Sequence, residues 1–217
     1  MLEKIIVALD LPNPKACMPW LKRLQGKVAG VKIGYGLFSL GGPGLLQMAK
    51  AHQLPVFLDL KFHDIPNTVE NAAKAAAEIG VWMFTVHAQG GMEMLKAAKR
   101  GVERVTSSTE SPKILAVTVL TSQETKINEV LERAKCAKEA GCHGVISSAK
   151  EVKEIRKKMG KDFLIVTPGI RFKENSKDDQ KRVATPQEAI EYGADYLVMG
   201  RPFLDHPDPD QLLKALR

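Results

Sequence analysis

The chain has 217 residues, of which 44% are hydrophobic, so it is long enough and apolar enough to bury a full core. It contains no apolar run of about twenty residues and no basic and apolar leader at its start, so we expect a soluble cytoplasmic protein with no membrane partner. Its three cysteines are an odd number without C-x-x-C spacing, which argues against a disulfide framework and a zinc site.

The 32 Lys and Arg residues exceed the 25 Asp and Glu residues and give a formal net charge of +7. Such an excess is compatible with nucleic acid, a membrane surface or a small anionic ligand. The basic residues are scattered along predicted helices, as from Lys150 to Lys161, without interleaved aromatic side chains. This pattern is typical of a solvated helix face, so we expect no nucleic-acid partner.

Eight short apolar runs recur along the chain, and each is typical of a buried strand. In chain order they are Ile5–Leu9, Val28–Ile33, Val56–Leu60, Met83–Val86, Ile114–Leu120, Gly144–Ser147, Phe163–Thr167 and Tyr196–Met199. Segments with helical periodicity separate them, for example the apolar stripes Val69, Ala72, Ala73, Ala76, Ala77 and Ile127, Val130, Leu131, Ala134, Ala137.

Eight near-continuous apolar strands that alternate with helices predict an α/β protein whose parallel sheet is buried on both faces. We expect this sheet to close as a (β/α)8 TIM barrel that forms a single domain over residues 1–217. The alternative is an open, doubly wound sheet. It is disfavoured because no G-x-G-x-x-G sequence follows the first strand.

Catalytic groups of such barrels lie where the strands end, and the predicted strand ends of this chain are charged or polar. The first strand ends at the acid Asp10, and the second ends near the base Lys32. The third leads into D-L-K-F-H-D-I-P-N-T-V, which sets a carboxylate, an ammonium and a second carboxylate at Asp59, Lys61 and Asp64.

Asp59 and Lys61 are two residues apart, a spacing that turns both side chains to one face of a strand. Lys and Asp are rarely buried unless they are paired, so charges in this position favour a functional site. The alternative is a buried ion pair that closes the mouth of a core strand.

The later strand ends are also polar and contain glycine: His87, Thr121, the turn from Pro168 to Arg171, and Gly200–Arg201. Glycine lets an anion approach backbone amides, and the arginine fork matches phosphate oxygens, so Gly200 and Arg201 predict a phosphate site. The polar stretch Phe172–Arg182 suits a flexible lid over that site; the alternative is an ordinary surface loop.

These motifs, in this order from the first strand to the last, resemble the orotidine 5'-phosphate decarboxylase family. The resemblance depends on D-L-K-F-H-D-I-P-N-T, together with A-L-D, V-K-I-G, L-T-S, P-G-I-R, M-G-R-P and Gln180. It implies cofactor-independent decarboxylation of orotidine 5'-monophosphate to uridine 5'-monophosphate. The D-x-K-x-x-D-I-P-N-T string is the most specific of these motifs.

The resemblance also implies a role for each matching residue. Lys61 would donate the proton to the ring carbon that loses carbon dioxide, and Asp59 would lie against the departing carboxylate. Lys32, Asp59, Lys61 and Asp64 would form one charged network, with Asp64 supplied by the partner subunit of a homodimer.

The remaining matches would bind the substrate. Asp10 and Lys32 would meet the ribose hydroxyls, and Asp64 and Thr68 would reach them from the neighbouring subunit. Thr121 would contact the base, and Arg171 would help anchor the ligand. Gln180, Gly200 and Arg201 would hold the phosphate.

Two alternatives stay open at this point. Hexulose-phosphate synthase and keto-gulonate-phosphate decarboxylase share the D-x-K-x-x-D core, but they depend on a metal, for which a carboxylate would suit the position of Lys32 better. A nonenzymatic nucleic-acid-binding protein would bind in a strongly salt-dependent way and would tolerate loss of Lys61. His63 and His87 are further candidates for an acid or base, and their roles stay undecided.

Overall fold

The structure, a computed structural model, describes residues 1–105, 111–120, 123, 125–172 and 184–216. Eight parallel strands form a closed barrel in which each strand pairs with the next and the last pairs with the first. This confirms the predicted (β/α)8 TIM barrel. The strands are β1 Ile5–Ala8, β2 Gly30–Gly34, β3 Val56–Phe62, β4 Met83–His87, β5 Lys113–Val117, β6 Gly144–Ile146, β7 Leu164–Thr167 and β8 Tyr196–Met199.

Helices connect the strands along the outside of the barrel. They are α1 Cys17–Leu24, α2 Tyr35–Ala51, α3 Pro66–Ile79, α4 Gly91–Glu103, α5 Ile127–Glu139, α6 Val152–Met159, α7 Pro186–Glu191, α8 Arg201–Leu204 and α9 Pro209–Ala215. None of the helices in the described ranges is long and apolar enough to cross a bilayer.

The strand side chains divide between an inner and an outer apolar layer, because successive residues of a strand point to opposite faces. In β1, Ile6 belongs to the cluster inside the barrel, whereas Ile5 and Val7 belong to the cluster between strands and helices. Most strand side chains of both layers are buried, which explains why the strands are near-continuous apolar runs in the sequence.

The amino ends of the strands close the barrel with apolar side chains, and we call this end the floor. Trp82 and Tyr196 meet there edge to face, with ring centroids 5.0 Å apart, and Ala29 and Leu164 pack on the same inner cluster. The carboxyl ends of the strands form the opposite opening, which we call the mouth.

Most strand boundaries agree with the sequence to within two residues, and β5 differs most. It ends at Val117 rather than at Leu120, because the carbonyl of Thr118 accepts a 2.7 Å hydrogen bond from the Arg133 guanidinium on α5. The chain then turns, with the Gln123 amide donating to the Leu120 carbonyl. The backbone therefore leaves the sheet before the predicted end of the strand.

Seven of the ten positions in the two predicted helical stripes are buried, and Ala72 and Leu131 are partly exposed. On α3, Val69, Ala73, Ala76 and Ala77 are buried. On α5, three of the five predicted positions are buried, but Ile127 is 39% exposed because it occupies the first position of the helix, at the edge of the packed layer.

Candidate active site

The strand ends surround a cavity of about 220 Å³ at the mouth of the barrel. Apolar side chains of the inner cluster, including Phe57 and Val198, form its inner wall. Charged side chains from several strand ends line its rim, namely Asp10, Lys32, Asp59, Lys61, Arg171 and Arg201. A pocket with one apolar wall and a few converging polar groups is typical of a small-molecule site.

The charged residues of the first three strand ends form a chain of ion pairs of alternating sign. Lys32 Nζ lies 3.3 Å from Asp10 Oδ1 and 3.5 Å from Asp59 Oδ2. The other oxygen of Asp59, Oδ1, accepts a 2.9 Å hydrogen bond from Lys61 Nζ. The structure thus brings together four of the residues that the sequence singled out, within one subunit.

Asp59 is the most deeply buried carboxylate of this chain of ion pairs. Burial works to raise its pKa, but the charges of Lys32 and Lys61 and the hydrogen bonds from Lys61 and Thr85 outweigh burial and hold the pKa below its usual value. Asp59 therefore stays ionised at neutral pH, even though its side chain is only 13% exposed.

The end of β3 is not a regular strand, although the sequence predicted regular alternation of Asp59 and Lys61 there. The pairing register between β3 and β4 shifts between Leu58 and Phe62, and Lys61 adopts a positive φ of 42°. The side chains of Asp59 and Lys61 still meet, but through a bulge and not by simple alternation.

Sequence reasoning missed two residues of this site. Thr85 on β4 is fully buried, and its hydroxyl lies within hydrogen-bond distance of both Asp59 and the Lys61 amide. Its signal was a lone hydroxyl inside the apolar run M-F-T-V. Tyr35, at the start of α2, places its ring centroid 5.7 Å from Lys61 Nζ, and nothing in the sequence distinguished it.

The opposite side of the mouth is formed by the ends of β7 and β8. Arg171 lines the cavity although it is only 7% exposed, and Gly200 and Arg201 line it at the start of α8. A Cβ atom on Gly200 would lie 3.3 Å from Ala8 Cβ and 3.5 Å from Asp10 Oδ2, so the glycine leaves room beside the carboxylate. These groups can supply cationic donors and exposed backbone to an anion.

Asp64 and Thr68 do not join the cavity of their own subunit. Both are exposed, Asp64 beyond the end of β3 and Thr68 in the first turn of α3. Asp64 Oδ1 accepts a hydrogen bond from the neighbouring Ile65 amide, and within the described part of the chain it makes no ion pair with either lysine of the mouth. Thr121, Gln180 and most of the predicted lid lie outside the described residues.

His63 and His87 lie against each other beside the mouth, with stacked rings whose centroids are 5.2 Å apart. His87 Nδ1 accepts a 3.3 Å hydrogen bond from the Gln89 amide. Burial, followed by the charges of His63, Arg133 and Lys61, lowers the pKa of His87 below its usual value.

The described residues contain no group of three His, Cys, Asp or Glu side chains that could hold a metal ion. The mouth instead combines two ammonium groups with two carboxylates and, across the cavity, two guanidinium groups. This arrangement suits an anionic small molecule.

Known proteins match the chain over nearly its whole length. Residues 3–216 match the family described as "Orotidine 5'-phosphate decarboxylase / HUMPS family". The chain is 45% identical to an orotidine 5'-phosphate decarboxylase of Legionella pneumophila, covering 100% of this chain and 98% of the relative. It is 47% identical to the protein of the same name from Trichlorobacter lovleyi, covering 99% and 93%.

A solved structure agrees with these sequence matches. The crystal structure of orotidine 5'-phosphate decarboxylase from Lactobacillus acidophilus superposes with a TM-score of 0.85 at 41% identity, covering 98% of this chain and 96% of the other. The barrel, the motifs at its mouth and the full-length matches therefore agree, and the chain belongs to the orotidine 5'-phosphate decarboxylase / HUMPS family.

Proposed function

We propose that this chain decarboxylates orotidine 5'-phosphate to uridine 5'-phosphate, a step of pyrimidine biosynthesis, without a metal or organic cofactor. The catalytic domain would span residues 1–217. The observation that carries the proposal is the buried Asp59 carboxylate, held between the ammonium groups of Lys32 and Lys61 at the mouth of the barrel. The names of relatives more than 40% identical to the chain support the choice of substrate.

The chemistry explains why a fixed cation is needed. When the bond from the ring carbon to the carboxylate breaks, the electron pair stays on that carbon, in the plane of the ring and outside the π system. Delocalisation cannot stabilise it, so a nearby preorganised positive charge must do so. Lys61 supplies this charge and then delivers a proton from Nζ to the carbon.

Asp59 has two functions in this scheme. Its hydrogen bond to Lys61 Nζ holds the ammonium in place before substrate binds. Because the low pKa of Asp59 keeps it ionised, its charge also repels the substrate carboxylate, and loss of carbon dioxide relieves that repulsion.

The rest of the mouth would bind parts of the substrate that do not react. Asp10 and Lys32 would hold the ribose hydroxyls, and Thr121 would contact the base. Arg171 would help anchor the ligand, and Gln180, Gly200 and Arg201 would hold the phosphate. Binding energy from a remote phosphate can orient the ring and favour closure of the site, and so raise the rate of the chemical step.

We also propose that the chain acts as a homodimer in which Asp64 and Thr68 complete the neighbouring site. Both side chains are exposed, and neither is among the described residues that line the mouth cavity of its own subunit. Tyr35, Leu40 and Ile65, at the beginnings of α2 and α3, are 56%, 64% and 67% exposed. Exposed large apolar side chains, one of them directly after Asp64 in the chain, favour contact with a second copy.

The activity is tested by a spectrophotometric assay with orotidine 5'-phosphate, run with and without a chelator. We expect decarboxylation that is unchanged by the chelator. Complete inhibition by the chelator would refute the metal-independent mechanism. Absence of turnover would refute the proposed activity and would leave open the metal-dependent sugar-phosphate enzymes that share the D-x-K-x-x-D core.

The shared site is tested by mixing two subunits, one with Lys61→Ala and one with Asp64→Ala, each inactive as a homodimer. If Asp64 acts on the neighbouring site, a mixed dimer has one site with both defects and one site with neither. Random assembly in equal amounts makes half the dimers mixed, so roughly a quarter of all sites should be intact. No recovery of activity in verified mixed dimers would place Asp64 in its own subunit's site.

A further inference from the structure

At the bulge near the end of β3, three residues of β3 lie opposite one residue of β4. Leu58 pairs with Phe84 and Phe62 pairs with Val86, so Asp59, Leu60 and Lys61 all lie opposite the single residue between Phe84 and Val86. That residue is Thr85. The excess length displaces β3 from the regular ladder, and Lys61 takes up the positive φ that L-residues rarely adopt.

The Thr85 side chain replaces the hydrogen bond that the bulge removes. A buried backbone amide needs an acceptor, and the Lys61 amide donates a 2.8 Å hydrogen bond to Thr85 Oγ1. A threonine hydroxyl carries a single proton, and Thr85 donates it to Asp59 Oδ1 at 3.0 Å. One buried hydroxyl therefore contacts both the backbone of Lys61 and the carboxylate of Asp59.

This arrangement holds Lys61 in place at its backbone and at its Nζ atom. At the backbone end, Thr85 stabilises the left-handed conformation of Lys61. At the Nζ end, Lys61 donates to Asp59 Oδ1, the same oxygen that accepts from Thr85. Threonine is branched at Cβ and has a stiff χ1, so its hydroxyl is itself well fixed in a packed strand.

We propose that Thr85 is a positioning residue, which holds the Lys61 backbone and the Asp59 carboxylate in the geometry that decarboxylation requires. It does not line the cavity, so it acts through the other two residues. The inference rests on the proposed function for its kinetic consequences, but its structural consequence is independent of any activity.

The decisive comparison is between Thr85→Val and Thr85→Ser in the full chain. Valine keeps the shape but removes the hydroxyl, so we expect kcat to fall roughly 10- to 100-fold, with less than about a threefold change in the affinity for uridine 5'-phosphate. Serine keeps the hydroxyl, and its kcat should stay within about threefold of wild type. If Thr85→Val does not fold, Thr85→Ala is compared with Thr85→Ser in the same way.

Thr118→Val is the matched control. Thr118 is also a fully buried threonine, and its hydroxyl donates a 3.1 Å hydrogen bond to the Ile146 carbonyl, away from Asp59 and Lys61. The control should lose thermal stability but keep kcat within about threefold. Equal losses of kcat in the two valine variants, or a loss in Thr85→Ser as large as in Thr85→Val, would overturn the proposal.

A second measurement separates this inference from the proposed function. NMR titration of the Asp59 carboxyl group reports the hydrogen bond from Thr85 even in a protein with no turnover. Removal of a donor to the carboxylate should raise the pKa of Asp59 in Thr85→Val and leave it nearly unchanged in Thr85→Ser. Failure of the wild-type chain to decarboxylate the substrate would refute the function, whereas an Asp59 pKa unaffected by Thr85→Val would refute the role of Thr85.

Discussion

The mouth and the floor of the barrel are built on the same eight strands but from opposite kinds of side chain. The floor joins apolar side chains, as in the edge-to-face pair of Trp82 and Tyr196. The mouth gathers charges, and the side chain of its Asp59 is only 13% exposed. Apolar burial stabilises a fold directly, whereas a buried ion pair contributes little net stability because both charges must lose their hydration.

The difference indicates that the two ends of each strand serve different purposes. The floor and the surrounding apolar layers supply the free energy of folding. That stability lets the mouth hold a positive-φ lysine and a buried carboxylate, which are unfavourable by themselves. Substitutions at the mouth should therefore reduce activity more than stability, and substitutions below it should do the reverse.

The largest effect is expected for Lys61→Ala. Its charge matters most in the transition state, so we expect turnover to fall more than a hundredfold, about 2.7 kcal/mol or more, while binding of uridine 5'-phosphate stays measurable. Asp59 keeps its contacts to Lys32 and Thr85, so the thermal midpoint should shift by less than about 4 °C. Steady-state kinetics and thermal unfolding measure the two quantities.

Lys96→Ala is the control for loss of a lysine. Lys96 lies on α4, 48% exposed, and its ammonium is 3.4 Å from Glu93. Removal of such a surface pair should change neither activity nor stability appreciably. A Lys61→Ala variant that retains more than about a tenth of wild-type activity, a loss below roughly 1.4 kcal/mol, would contradict the catalytic role of Lys61.

Ile6→Ala tests the opposite half of the comparison. Ile6 is fully buried inside the barrel, and the substitution leaves a cavity that should lower the free energy of unfolding by about 2–5 kcal/mol. Denaturant unfolding measures this loss. Under conditions well below its unfolding midpoint, the folded Ile6→Ala variant should keep the wild-type kcat. Ile6→Val should lose only about 0.5–1.5 kcal/mol of unfolding free energy. A kcat that falls as steeply as the stability would show that the two ends of the barrel are coupled.

The sequence predicted the barrel well because its signal is repeated eight times. Each buried strand must be apolar on both faces, so its run stands out from the helices around it. The charged strand ends were equally visible, since Asp10, Lys32 and Lys61 interrupt or end such runs. Parallel strands in a barrel bring their carboxyl ends together, so residues distant in sequence could be assigned to one site.

The features that the sequence did not predict depend on contacts between strands. The bulge in β3 arises from its pairing with β4, and no local residue pattern specifies it. Thr85 looks like an ordinary strand residue until the fold places it opposite Asp59 and Lys61. Tyr35 is similar, because only the arrangement of β2 and β3 brings its ring near Lys61.

Arg201→Ala compares the two sides of the mouth. Arg201 should affect binding of the phosphate, whereas the charged network across the cavity should affect the chemical step. A charge-assisted contact to phosphate is lost from both ground and transition states, so kcat/KM should fall roughly 10- to 100-fold. The loss should shrink greatly with orotidine, which lacks the phosphate. Arg23→Ala removes a partly exposed arginine paired with Asp210 and should leave activity with both substrates unchanged. Equal losses with both substrates would make Arg201 a structural residue.

The smallest effect is expected at His87. It lies at the mouth, but we expect it to affect stability, so it is an exception to the rule that mouth residues affect activity more than stability. Burial, helped by the charges of His63, Arg133 and Lys61, lowers the pKa of His87 in the folded chain, while its pKa in the unfolded chain is about 6.5. Protonation at Nδ1 would also remove the acceptor of the Gln89 amide.

The unfolded chain therefore binds a proton at His87 before the folded chain does, as the pH falls below about 6.5. Stability is lost over that interval, until the pH reaches the lowered folded pKa. His87→Gln removes this proton uptake, so the stability of wild type relative to the variant should decrease as the pH falls from about 7 to 5. Denaturant unfolding of both proteins across this range measures the difference. A constant difference would mean that His87 titrates alike in both states, and the mouth would then contribute no pH dependence through this residue.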